Sequence, residues 1–199
     1  MNSADIAIIG GGIAGLSAAI YTAEAGFSTV VFDQNKSQLR PIEHVQNYPG
    51  FPEAITGDEL LSRMRKQAES FGAELKKEKV AAVKAGETNG SRFLLTVADA
   101  EGNERSFSAN YVIAASNINK KPLEDLGIET EVSPAVPSGK ISRIKGGSWS
   151  GETNVPGFYV AGLLSGVPTQ SIIAAGQGTQ TAMEIISKEK GKAHVWHDS

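Results

Sequence analysis

Asp5-Ile6-Ala7-Ile8-Ile9-Gly10-Gly11-Gly12-Ile13-Ala14-Gly15 is the stretch that decides the fold. Its isoleucine-rich opening reads as a buried parallel strand. The strand stops at three glycines, and Ile13 to Ala25 continues as a helix of small residues and good helix formers. Gly26 is placed to end that helix, because glycine tolerates the left-handed conformation found there. Ser28 to Phe32 is a second apolar, β-branched run, closed by Asp33. Strand, tight turn, helix and strand in this order make a βαβ unit. Inside it lies Gly10-x-Gly12-x-x-Gly15. Gly10 permits the turn, Gly12 lets a pyrophosphate approach bare backbone, and Gly15 lets the helix close on the sheet. The helix N-terminus then offers free amides and a favourable dipole to the phosphate charge. Asp33 follows Gly10 by 23 residues and stands where a carboxylate can accept a hydrogen bond from a ribose hydroxyl. The unit is therefore read as a dinucleotide cradle.

Outward from this unit, Gln34 to Ile55 is a long polar loop carrying Pro41, Pro49 and Pro52. Loops of such length are usually functional. Thr56-Gly57-Asp58-Glu59 reads as a capping box, and Asp58 to Phe71 as an amphipathic helix with Leu60, Leu61, Met64, Ala68 and Phe71 on one face. Glu74 to Ala85, Arg92 to Ala98 and Glu104 to Ala109 read as strands of an antiparallel meander, with turns at Asn89-Gly90 and Glu101-Gly102-Asn103. Tyr111 to Ala115 reads as a separate strand of the central sheet. Asn117 to Thr153 is weakly patterned. Phe158 to Ala161 is a last strand, and Ser171 to Lys188 a closing helix stopped near Gly191. The fold class is α/β: a Rossmann-like three-layer domain with a parallel central sheet and an antiparallel β-meander.

Composition removes other classes. The 199 residues include no cysteine, which excludes disulfides, thiolate zinc sites, a cysteine nucleophile and a dithiol relay within the chain. A net charge of −3 without a Lys/Arg run argues against nucleic acid as a partner. No apolar stretch approaches the roughly 20 residues of a membrane span, so no membrane partner is expected. The start of the chain lacks the basic segment of a signal peptide, so a cytoplasmic location is the expectation. No metal-ligand spacing stands out, and the expected metal set is none.

Further stretches carry a family resemblance. Gln38-Leu39, Val45-Gln46-Asn47-Tyr48-Pro49-Gly50-Phe51-Pro52 and Thr56-Gly57-x-x-Leu60 resemble the thioredoxin reductase family. So do Val155-Pro156-Gly157-Phe158-Tyr159-Val160-Ala161-Gly162 and Gln170-Ser171-Ile172-Ile173-Ala174-Ala175-Gly176-Gln177-Gly178. The resemblance runs in family order over nearly the whole chain. It implies a single FAD-binding domain over 1–199. Its N-terminal segment would span 1–116, a short replacement of an inserted NAD(P)H domain 117–153, and a C-terminal segment 154–199. It implies that Gly10, Gly12, Ile13, Ala14 and Gly15 hold the pyrophosphate of FAD and Asp33 its adenosine ribose. Gln38, Leu39 and Asn47 would lie along the isoalloxazine and ribityl chain, and Val80 would present backbone to the adenine. Gly162, Gln170 and Ser171 would close over the flavin, with the last helix aiming its N-terminus at the pyrimidine edge, and Ala115 and Leu163 would complete the cofactor-binding set. A homodimer is a further implication of the resemblance.

The departures are equally specific. The family strand ending Ala-Thr-Gly, which precedes the NAD(P)H domain, reads Ala114-Ala115-Ser116 here. No second strand–GxGxxG–helix unit follows, and Gly176-x-Gly178 falls inside the closing helix. The family's Cys-x-x-Cys is absent. The family's Ala-Gly-Asp, whose aspartate contacts the ribityl-phosphate chain, reads Ala161-Gly162-Leu163, with Ser165 as the nearby hydroxyl that could substitute. His44, Trp196 and His197 are the candidates for groups acting beside the flavin, and Arg40 could bring charge to its edge. The expected function is an FAD-binding oxidoreductase fed by an external electron donor, NAD(P)H, a thiol or a redox protein, and not a dithiol-dependent thioredoxin reductase. The alternative is a non-catalytic FAD-binding module or partner subunit.

Overall fold

The computed structural model describes residues 2–196 except 89, 135 and 137. β1 (Ser3–Ile9) runs into α1 (Ile13–Glu24) and β2 (Thr29–Phe32), the expected βαβ unit. α2 (Gly57–Ser70) follows the long loop and leads to β3 (Glu74–Lys76). β4 (Lys79–Thr88), β5 (Ser91–Ala98) and β6 (Glu104–Ala114) come next. A single turn of helix, α3 (Lys121–Glu124), precedes the hairpin of β7 (Thr130–Val132) and β8 (Ser142–Ile144). β9 (Phe158–Val160), a 3₁₀ turn at Gly162–Ser165 and α4 (Ser171–Lys190) complete the chain.

The strand order is β3-β2-β1-β6-β5-β4, with β9 also paired to β6. β3, β2, β1, β6 and β9 are mutually parallel, while β5 pairs antiparallel with both β6 and β4. β6 does two jobs. Its first half pairs with β5, from Glu104 opposite Ala98 to Ala109 opposite Phe93. On the same edge its last residues, Val112 to Ala114, pair with β9. The two strands expected at 104–109 and 111–115 are therefore one. Polar Asn110 suggests an interruption in the sequence, but its carbonyl lies 3.3 Å from where a side chain on Gly157 would begin. The bare glycine lets the β9 segment approach at that point.

Alternation along β1 separates the layers, as the two-residue period of a strand requires. Ile6 and Ile8 pack with Ala18, Ala19, Ile185 and Ile186 of α1 and α4. Ala7 and Ile9 pack with Val83, Leu95, Val97 and Phe107 of the meander. Phe32 and Phe107 meet edge to face with ring centroids 5.1 Å apart. A third cluster, including Ile13, Leu16, Leu60, Leu61 and Met64, seats α2 against α1.

The long loop is tied down at several points. Val45 donates its amide to the Ile55 carbonyl at 2.8 Å, and Gly57 to Ile42 at 2.7 Å. Gly57 permits the latter approach, because a Cβ there would lie 1.8 Å from the Leu39 carbonyl oxygen. Half of the expected capping box is present: the Thr56 hydroxyl accepts from the Glu59 amide at 3.1 Å. The Glu59 carboxylate instead receives Arg63, one helical turn on, at 2.8 Å.

Candidate functional site: a cleft at the carboxyl ends of the parallel strands

In open α/β sheets, ligands bind beyond the carboxyl ends of the strands, at the point where strand order reverses. That point here lies between β1 and β6. The Ala115 amide donates to Ile9 at 2.8 Å, the Gly10 amide to Phe32 at 2.8 Å, and the Ala161 amide to Ala114 at 2.8 Å. These bonds bring the ends of β1, β2, β6 and β9 around one cavity of about 310 Å³.

The glycine-rich turn forms its floor. Gly10 has φ +107°, open to glycine and strained for other residues. A Cβ on Gly15 would lie 2.0 Å from the Gly10 carbonyl oxygen, so this glycine sets the close packing of helix on turn. Gly12 differs. Its nearest neighbour would be the Ser37 hydroxyl at 3.5 Å, so its missing side chain leaves open space.

Two helices open on the cavity without a cap. α1 begins after Gly12 and α4 after Gln170, and neither N-terminus has a side-chain cap or an acidic residue in its first turn. α2 is the contrast, with Thr56 capping and Asp58 and Glu59 in the first turn. A helix leaves its first amides without intrahelical partners, and its dipole places partial positive charge there. Two such ends at one cavity make its electrostatics favourable to negative charge.

Of the expected flavin residues, Gly10, Gly12, Ile13, Ala14, Asp33 and Gln38 line the cavity. Leu39, Ala115, Gly162, Leu163, Gln170 and Ser171 do so as well. Gly15 lies just beneath the floor. Asn47 stands beside the lining, donating its Nδ2 to Gln170 Oε1 at 2.9 Å and thereby bridging the long loop to the start of α4. Val80 is buried away from the cavity, where its carbonyl accepts from Asn119 Nδ2 at 3.0 Å.

The structure places the remaining candidates as follows. His44 is exposed on the loop and outside the lining. Arg40 is paired with Asp58. Trp196 does not cover the cleft: it packs edge to face on Tyr21 at 4.9 Å and on Phe71 at 5.3 Å. A large aromatic ring gains most where it removes apolar surface from water, and the backs of α1 and α2 provide that surface. His197 lies outside the described residues. Ser165 does not take the role of a missing carboxylate either, since its buried hydroxyl donates to the Gly162 carbonyl at 2.8 Å.

The sequence reading overlooked Gly11, Lys36, Ser37 and Ile118, all in the lining. It also overlooked Gln177. That side chain is fully buried, accepts from the Gly162 amide at 2.6 Å and donates to the Thr181 hydroxyl at 3.0 Å. It holds the left-handed turn at Gly162, φ +66°, against α4. A glutamine set between two glycines, Gly176 and Gly178, was the available signal.

The family profile described as "Pyridine nucleotide-disulphide oxidoreductase" matches residues 4–132, which contain the βαβ unit, α2 and the meander. The chain belongs to the pyridine nucleotide-disulphide oxidoreductase family. Among curated proteins, it is 48% identical over 82 residues to NADPH-dependent thioredoxin reductase 3 of Arabidopsis thaliana. That match covers 38% of this chain and 16% of the plant protein. With thioredoxin reductase of Streptomyces coelicolor it shares 39% identity over 120 residues, 58% of this chain and 35% of the other. The chain thus spans well under two thirds of these relatives.

Solved structures agree in fold with this family assignment. A thioredoxin reductase from Gloeobacter violaceus superposes with a TM-score of 0.73 at 20% identity, covering 100% of this chain and 99% of that one. An oxidoreductase from Agrobacterium tumefaciens reaches 0.77 at 14% identity, covering 96% of this chain and 100% of that one.

Proposed function

We propose that the chain is an FAD-binding flavoprotein oxidoreductase whose flavin is reduced by a donor from outside the chain: NAD(P)H, a small thiol or a redox protein. One observation carries this reading. The bare Gly12 backbone and the uncapped starts of α1 and α4 converge on a single cleft, and Asp33 stands at its ribose end. That donor set suits an anionic pyrophosphate flanked by a sugar and an apolar ring system. Bound FAD would supply a ring that accepts an electron pair from the donor and passes it to an acceptor.

The chain's own residues bind and orient. The free amides of α1 hold the pyrophosphate, and Asp33 accepts from the ribose. Leu39, Ile42 and Ala174 keep water from the ring, while Gln170, steadied by Asn47, closes the edge near α4. The dipole of α4 favours negative charge on the pyrimidine side. With no cysteine, no dithiol step runs through these 199 residues. A homodimer in the cytoplasm accompanies the proposal, and light scattering measures the first half of it. Among the described residues no helix is long and apolar enough to cross a membrane.

The deciding measurement is the visible absorption spectrum of the purified protein, before and after adding FAD. Flavin bands that co-elute with the protein support the reading. A protein that stays colourless and does not retain added FAD overturns it. Anaerobic mixing with NADH or NADPH then separates direct reduction from feeding by a partner.

Leu163 favours a second reading, a flavin-binding module without turnover. Here an apolar side chain lines the cavity where family resemblance implies an aspartate. Leu163→Asp is expected to tighten FAD binding about tenfold, the value of one hydrogen bond to a ligand hydroxyl, or about 1.4 kcal/mol. An unchanged dissociation constant in fluorescence titration would show that no such contact is available.

A further inference from the structure

Arg65 lies on α2, outside the residues that sequence and family point to, and it is paired with Asp33 in the wall of the cleft. Its Nη2 donates both to Asp33 Oδ2 and to the side-chain oxygen of Asn35. Both charged side chains are sheltered, at 22% and 9% exposure. Asn35 has φ +59°, so Arg65 also anchors a left-handed bend at the exit of β2. Its Nε is buried and lacks a partner, so the guanidinium is held by these two oxygens alone among the described residues.

The geometry fixes Asp33 from two sides. A Cβ on Gly11 would lie 2.7 Å from Asp33 Oδ2, so the turn packs against the oxygen that Arg65 holds. Oδ1 accepts no hydrogen bond from the described residues, and Asp33 lines the cavity. We infer that Arg65 is a positioning residue for adenosine recognition: it clamps one carboxylate oxygen so that the other is presented to a ribose hydroxyl. This makes the adenosine half of the ligand a required handle and sets FAD above FMN. Lys36 lines the cavity with its side chain exposed to solvent, whereas Arg65 is not in the lining and acts through Asp33. The inference rests on the FAD reading and names which half of that ligand is selected.

A double-mutant cycle tests it, with dissociation constants for FAD and for FMN from fluorescence titration and with thermal melts to follow folding. Arg65→Met is expected to weaken FAD about tenfold and to leave FMN within twofold. In an Asp33→Asn background the same substitution is expected to cost less than twofold for FAD. Arg65→Lys, which keeps the charge but loses the planar guanidinium that reaches both oxygens, should fall between wild type and Arg65→Met. Three results overturn the inference: wild-type affinity for FAD in Arg65→Met, an equal loss for FAD and FMN, or equal losses in both Asp33 backgrounds. Wild-type protein that binds neither flavin overturns the FAD reading itself, and the inference with it.

Discussion

Gly12→Asp is expected to leave the protein folded and to abolish FAD binding. Gly12 is the N-cap of α1, with φ −81° and ψ −174°, extended backbone that any residue adopts. A Cβ there finds only the Ser37 hydroxyl, at ordinary contact distance. Aspartate is among the best N-cap residues and would satisfy an amide that is now free. The expected change in stability is a gain of about 0.5–1 kcal/mol. The same carboxylate would occupy the space proposed for the pyrophosphate and repel it. At an effective dielectric constant of about 20, two unit charges about 4 Å apart interact by about 4 kcal/mol. A loss of at least about 100-fold in FAD affinity follows, or about 2.7 kcal/mol. A thermal melt and a fluorescence titration read the two effects separately. FAD affinity within threefold of wild type would remove the pyrophosphate from this turn.

The second large effect concerns α4. Gly178→Ala is expected to destabilise the fold by about 3 kcal/mol, the upper end of the range for overpacking. A Cβ at this position would lie 2.2 Å from the Ala14 carbonyl oxygen and 2.8 Å from two other backbone atoms of that residue. Backbone offers no flexible end that could move aside. For a chain of this size, 3 kcal/mol corresponds to a fall in Tm of roughly 6–12 °C. Gly176→Ala, two residues earlier, provides the control. Nothing lies within 4 Å of its Cβ position, and alanine favours an exposed helix interior by about 0.5–1 kcal/mol. The two substitutions should therefore shift Tm in opposite directions. If both raise it, α1 and α4 do not cross at Gly178.

This pair shows what local sequence patterns convey. Gly176-x-Gly178 looks like a fragment of a phosphate loop, and its position inside a helix correctly dismisses that reading. Which of the two glycines is needed depends on α1, whose backbone arrives from more than 150 residues earlier. The βαβ unit was legible because strand, turn and helix are consecutive and each has its own local signal. The cleft was legible through family resemblance to the extent that its wall residues occur in short motifs. The Arg65 clamp was not, because an arginine on a mostly polar helix face looks solvated until β2 is placed beside it. Trp196 failed for a related reason: an aromatic near the end of a chain does not reveal which hydrophobic surface is within reach. β6 reads as two strands because Asn110 lowers apolarity locally, while the pairing that overrides it comes from β1 and β9.

The shared edge of β6 has a consequence for the order in which the molecule can be built. During synthesis the meander emerges early and pairs with the first half of β6, while the edge at Val112–Ala114 must wait for β9. Until then the nascent chain carries an open strand edge, and the apolar face of Ile6, Ile8 and Ile113 lacks its cover from Ile185 and Ile186. The wall formed by Gly162, Gln170 and Ser171 does not yet exist. The cleft wall is therefore completed only after β9 has joined β6 and α4 has packed on the sheet.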